Sequence, residues 1–160
     1  MIRIQEADFD LAEEVEILKD GRTDIGAIVT FTGVVRDRGS DKVIDSMNLE
    51  HYPGMTEKEL ARIEAQAHER WPLQASLIVH RVGKLVPGEN IVLVATASEH
   101  RHAAFEAASF LMDYLKTDAP FWKFEDGPDG AGWVEARDSD DAAKESWSKQ
   151  PSNKEEAADV

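Results

Sequence analysis

Two lysines, Lys116 and Lys123, stand on either side of a break at Pro120, and a His100-Arg101 pair opens the apolar-periodic stretch that ends at the first of them. Basic side chains grouped around one segment have no electrostatic reason to cluster in a chain of formal net charge −14 unless they meet an anion. Arginine offers a permanently charged, bidentate contact to phosphate or carboxylate, while lysine can hold an anion and also exchange a proton. The chemistry expected is therefore the capture of a small anion, a phosphate or a carboxylate. A lysine in the last turn of a helix also complements the helix dipole, so the grouping suggests a site without naming it.

These residues need a helix, a turn and a strand to position them. Ser98 reads as an N-cap, leaving first-turn N–H groups free for an anion beside His100 and Arg101. Ala104, Ala107, Ala108, Leu111 and Leu115 recur at helical spacing and predict one buried stripe. Pro120 forbids continuation. From Phe121 the period becomes two, so Phe121, Lys123 and Glu125 share one face of a short strand, with Trp122 and Phe124 on the other.

The rest of the chain reads as alternating strands and helices. Ile2 to Gln5 predicts a strand, and Asp8 to Leu18 a helix with Phe9, Ala12, Val15 and Leu18 inward. Ile25 to Val35 is β-branched and nearly continuous, the pattern of a strand buried on both faces. Arg36 sits where this strand meets a polar loop, 36–40, and Val43 to Tyr52 is expected to be its antiparallel partner. After the Pro53-Gly54 turn, Thr56 and Glu59 predict a capping box, followed by a helix burying Leu60, Ile63, Ala67 and Trp71 and stopped by Pro72. Strands over Ser76–Val82 and Asn90–Ser98 flank a turn at Pro87-Gly88, and Trp133–Arg137 predicts a last short strand. Residues from Asp138 could form one more amphipathic helix.

Composition bounds the function. With 160 residues and 42% apolar side chains, a single domain over 1–147 is expected, followed by an acidic, disordered tail over 148–160. The acidic balance argues against general nucleic-acid binding. No run approaches a membrane span, and the acidic start MIRIQEADFDLAEE lacks signal-peptide character, so a cytoplasmic location is expected. The absence of cysteine removes disulfides, thiolate metal sites and a cysteine nucleophile. His100 and His102 diverge at a helix start with no third ligand evident, so neither metal nor cofactor is expected. Dinucleotide, P-loop and nucleophile-elbow motifs are absent.

Five segments in order, VTFTGVVR (29–36), LEHYPGMTEKEL (49–60), HRVGKLVPGE (80–89), SEHRHAAFEAASFLMDYLKTDAPFWK (98–123) and WVEAR (133–137), resemble the large, catalytic subunit of molybdopterin synthase. The resemblance runs from Gly26 to about Trp147 and implies an α+β, hammerhead-like fold with a mixed, largely antiparallel sheet and packed helices. It implies a sulfurtransferase that converts cyclic pyranopterin monophosphate to molybdopterin by installing two dithiolene sulfurs. The donor is the C-terminal Gly-Gly thiocarboxylate of a small ubiquitin-like sulfur-carrier subunit, whose tail enters a pocket of the large subunit. Two large subunits form a homodimer at the centre of a heterotetramer.

By the same resemblance Lys116 is the essential lysine beside the carrier terminus and Lys123 the second pocket lysine. Arg36, His100 and Arg101 match positions that hold the substrate phosphate, Arg137 a further basic residue at the anion site, and Phe31 the pocket-lining strand. Two other readings compete: a non-catalytic scaffold for a ubiquitin-like partner, and a lysine-dependent Schiff-base enzyme.

Overall fold

The computed structural model describes residues 1–39, 41–135 and 138–148. Ser40, Arg137 and the tail from 149 lie outside the described residues, so the readings made for them have no structural counterpart here.

The chain opens with β1 (Ile2–Gln5) and α1 (Leu11–Lys19). The helix starts three residues later than its apolar pattern suggests because Asp10 is the cap, its carboxylate accepting from the N–H groups of Ala12 and Glu13. Ala12 is exposed, and Glu14 is buried instead, paired with Arg3 of β1. Then follow β2 (Ala27–Val34), β3 (Ser46–His51) and α2 (Met55–Arg70). Thr56 does not cap α2. Gly54 holds the N-cap at φ +83°, a conformation that favours glycine, and donates its N–H to Glu57 at 2.6 Å. Thr56 is buried as the second residue of the helix, accepting from Tyr52 N–H and donating to the carbonyl of Pro120, while Glu59 pairs with Arg62.

After α2 come β4 (Leu73–Arg81), β5 (Gly83–Leu85), β6 (Asn90–Ser98), α3 (Arg101–Thr117), β7 (Phe121–Gly127), β8 (Gly130–Trp133) and α4 (Asp138–Ser148). The last strand thus ends at Trp133 and pairs back on β7 as a hairpin, earlier than the Trp133–Arg137 segment the sequence favours.

The strands make two four-stranded sheets, β1-β4-β6-β2 and β5-β3-β7-β8, antiparallel except for the β1/β4 pair. The α+β class and the mixed, largely antiparallel pairing agree with expectation. The partnership of β2 with β3 does not: β2 pairs with β6, and β3 pairs with β5 and β7. Nor is β2 buried on both faces. It is an edge strand with Phe31 and Val34 exposed, and the doubly buried strands are β4 and β6.

Alternation on those two strands divides the core. Ile78, Val92 and Val94 point toward α2 and α3, joining Leu60, Ile63, Phe110 and Leu111. Leu77, Val79, Leu93 and Ala95 point the other way, against Phe9, just ahead of α1, and Leu18 near the helix's end. At roughly 1.5–3 kcal/mol per fully buried large apolar side chain, these layers supply the main stabilisation. A third cluster of Val35, Met47, Leu49 and Leu85 joins the second sheet to the first, and the space beside it is the cleft described next.

Candidate functional site

Between the two sheets, at the C-terminal end of α3, lies a cleft of about 570 Å³. Its walls are the last residues of β2, the inner face of β7, and Met112, Leu115 and Lys116 of α3. Alternation in β7 turns Phe121, Lys123 and Glu125 into it, as the period-two pattern requires. The strand is held in register by β3, with Leu49 opposite Lys123 and His51 opposite Phe121. The bond from Thr56 to the Pro120 carbonyl, 3.1 Å, anchors the turn joining the two lysines to the start of α2.

Four of the residues singled out in the sequence meet here: Phe31, Arg36, Lys116 and Lys123. Lys116 and Arg36 are exposed and have no hydrogen-bond or ion-pair partner among the described residues. The nearby Asp118 does not neutralise Lys116, because its carboxylate is taken by Arg62 at 3.0 Å and by Lys144 of α4. Lys123 pairs with Glu125 at 3.4 Å. Three cations and one carboxylate leave a local positive excess inside an acidic protein, the arrangement that concentrates small anions.

His100 and Arg101 are elsewhere in the same chain. His100, rather than Ser98, is the N-cap of α3, with no side-chain cap bond, and Ser98 is buried at the end of β6 with its hydroxyl donating to the Pro72 carbonyl. Lys116 lies fifteen residues after Arg101, so at 1.5 Å per residue the two stand about 22 Å apart. One chain therefore does not gather both ends of α3 around one anion, although the grouping in sequence invites that reading. Arg101 too is exposed with no partner among the described residues.

The cleft also contains residues that carry no sequence signal of a role. Leu115 reads only as helix stripe, Met112 falls outside that stripe, and His80 is one histidine among five. In the structure the His80 ring stacks on Phe121, centroids 3.7 Å apart. Burial pushes its pKa down to about 4, so the imidazole is neutral at ordinary pH.

The family model for MoaE protein matches residues 4–118. A molybdopterin synthase catalytic subunit of Mesorhizobium japonicum is 56% identical over 148 residues, covering 91% of this chain and 92% of the relative. The chain belongs to the MoaE family. A second relative of the same name, from Pseudomonas aeruginosa, is 54% identical over 146 residues, covering 91% of this chain and 97% of its own. Among solved structures, the MoaE protein of Burkholderia ambifaria superposes with a TM-score of 0.80 at 53% identity, covering 94% of this chain and 99% of that one. Molybdopterin synthase from Staphylococcus aureus gives 0.77 at 32% identity, covering 82% and 95%. A complex of the two subunits of molybdopterin-converting factor from Helicobacter pylori, 18% identical with a TM-score of 0.70, shares the MoaE fold. Among the described residues of this MoaE chain no helix is long and apolar enough to cross a membrane.

Proposed function

We propose that this chain is the catalytic subunit of a molybdopterin synthase. It converts cyclic pyranopterin monophosphate to molybdopterin, taking both dithiolene sulfurs from the thiocarboxylated C-terminal Gly-Gly of a small ubiquitin-like carrier, in the cytoplasm. The observation that carries the reading is the convergence of Lys116, Lys123 and Arg36 on one cleft, with Lys116 and Arg36 unpaired among the described residues. Substrate phosphate and thiocarboxylate are both anions, and fixed cations offset their repulsion by roughly a few kcal/mol per close pair at intermediate dielectric. Lys116 orients the thiocarboxylate and exchanges protons as the pterin side chain loses oxygen and gains sulfur. Lys123, steadied by Glu125, supports charge on the intermediate.

The phosphate roles of His100 and Arg101 require a second copy. β2 offers an eight-residue edge without charge or proline, AIVTFTGV, of the kind that pairs with another strand. Gly26 lies against Glu99, where a Cβ would sit 2.2 Å from the Glu99 carbonyl oxygen, so the start of α3 is fixed to the start of β2. Antiparallel pairing of two β2 edges about a two-fold axis brings the start of one β2 beside the end of the other. The partner's α3 N-terminus then arrives at the Val34–Arg36 end of the cleft, on the same face of the joined sheet. The dimer so formed completes the anion site.

The deciding experiment is turnover with thiocarboxylated carrier and the cyclic pterin. Formation of molybdopterin by the wild-type chain, lost in Lys116→Ala with carrier binding kept, supports the reading. A wild-type chain that binds carrier but makes no product is the scaffold instead, and a pterin adduct trapped on Lys116 by borohydride marks the Schiff-base alternative.

A further inference from the structure

His80 borders the cleft that holds Lys116 and Lys123, and nothing in the proposed mechanism uses it. The residue is 95% buried, its ring lying nearly flat on Phe121 with 15° between the planes. The stack and β4 leave it little freedom. Nδ1 sits 2.8 Å from the carbonyl oxygen of Arg81, which can only accept, so Nδ1 carries the proton and Nε2 presents a lone pair. No donor among the described residues meets that Nε2. His51, on the same Phe121 at 6.5 Å between centroids, differs: its Nε2 lies 3.6 Å from Glu57.

The surroundings give this lone pair its meaning. Arg36, Lys116 and Lys123 donate and never accept. Of the ionisable cleft residues the other acceptor is Glu125, which faces Lys123 and bears a negative charge. A pyranopterin monophosphate brings one anionic group for the cations, together with N–H and O–H donors on its fused rings. A carboxylate acceptor would bind those donors but repel the phosphate. A neutral imidazole accepts without that penalty, and burial keeps it neutral.

We propose that His80 is a substrate-binding residue whose Nε2 accepts a hydrogen bond from a ring N–H or O–H of the pterin and so orients the heterocycle against the lysines. The role rests on the function proposed above. It separates the work of the site: cations hold the phosphate and the sulfur donor, and His80 reads the ring.

The test compares His80→Phe, which keeps a flat ring on Phe121 and removes the acceptor, with His80→Gln, which restores an acceptor. Steady-state turnover is measured with each substrate varied in turn. His80→Phe should raise KM for the cyclic pterin about tenfold, the worth of a buried donor left unpaired, with KM for the thiocarboxylated carrier unchanged. His80→Gln should recover most of that loss. An unchanged pterin KM in His80→Phe, or equal damage toward both substrates in both variants, would overturn the assignment. A second readout needs no variant: the ¹⁵N resonance of the unprotonated Nε2 in wild-type protein should move upfield when cyclic pyranopterin monophosphate is added, and a stationary resonance in the presence of bound pterin rejects the contact. If wild-type protein makes no molybdopterin yet the resonance still moves, the proposed function fails and the ring contact stands.

Discussion

Arg101 opens α3 and Lys116 lies in its last turn, so one rigid rod sets their backbones about 22 Å apart. If both serve one reaction, they serve it from different copies of the chain. Lys116→Ala and Arg101→Ala, each nearly inactive alone when assayed with pterin well below the KM of Arg101→Ala, should then regain activity when unfolded and refolded together. Random pairing makes half the dimers mixed, and each mixed dimer has one intact site of two, so about a quarter of wild-type turnover is expected. Recovery indistinguishable from zero would place both residues in the same chain's site.

The pairing edge can be probed separately. Thr30 lies mid-way along the exposed edge strand, close to where a two-fold axis would pass. Thr30→Lys sets like charges opposite each other across such a pair, which is destabilising. Sedimentation should show the dimer replaced by monomer, with turnover lost and carrier binding retained. A variant that stays dimeric would move the interface elsewhere.

Lys116→Ala should lower kcat by about 10² to 10⁴, the usual range for a positioned proton-transfer group. Its stability should stay within about 0.5 kcal/mol of wild type, because the side chain is exposed and makes no bond among the described residues. Arg101→Ala should act mainly on KM for the pterin. A kcat effect alone for Arg101→Ala would remove it from phosphate binding.

His80 makes stability pH-dependent. The free imidazole titrates near 6.5 and the folded one at about 4, so the unfolded chain takes up this proton first as pH falls. Its contribution is complete above 6.5 and is lost progressively down to about 4, at most about 3 kcal/mol. Urea unfolding at several pH values should show a shallower acid slope for His80→Phe than for wild type. Identical slopes would mean His80 titrates normally.

Arg81 is a structural counterpart. Its buried guanidinium donates to the carbonyls of Glu6 at 2.9 and 3.0 Å and of Asn90 at 3.1 Å, with Asp8 and Glu89 at 3.8 and 3.6 Å. Arg81→Met strands those carbonyls and should cost about 2–4 kcal/mol in urea unfolding. A loss below about 1 kcal/mol would show that water replaces it readily.

Local pattern was legible where one element decides it. The stripe from Ala104 to Leu115, the stop at Pro120 and the alternation that aligns Lys123 with Glu125 all follow from spacing, and all appear in the structure. What spacing does not encode is which strand lies beside which. Ile25–Val35 has the composition of a central strand yet forms an edge, because β4 and β6 fill the middle and nothing in its own residues reports its neighbours. The site divides the same way. Lys116 and Lys123 are close in sequence across a turn, so their meeting was readable. His80 reaches them only through a stack with a residue forty-one positions away, and the distance from Arg101 follows from helix rise rather than from residue type.

Asp118 follows Lys116 by two residues, and its carboxylate is held by Arg62 and by Lys144, which α4 contributes. α4 thus ties down a competitor that could otherwise swing onto the reactive amine. Lys144→Ala would remove one of those two restraints without touching a single cleft residue, and would leave Trp147 of α4 in the core. The enzyme would dim through a borrowed charge rather than a missing group.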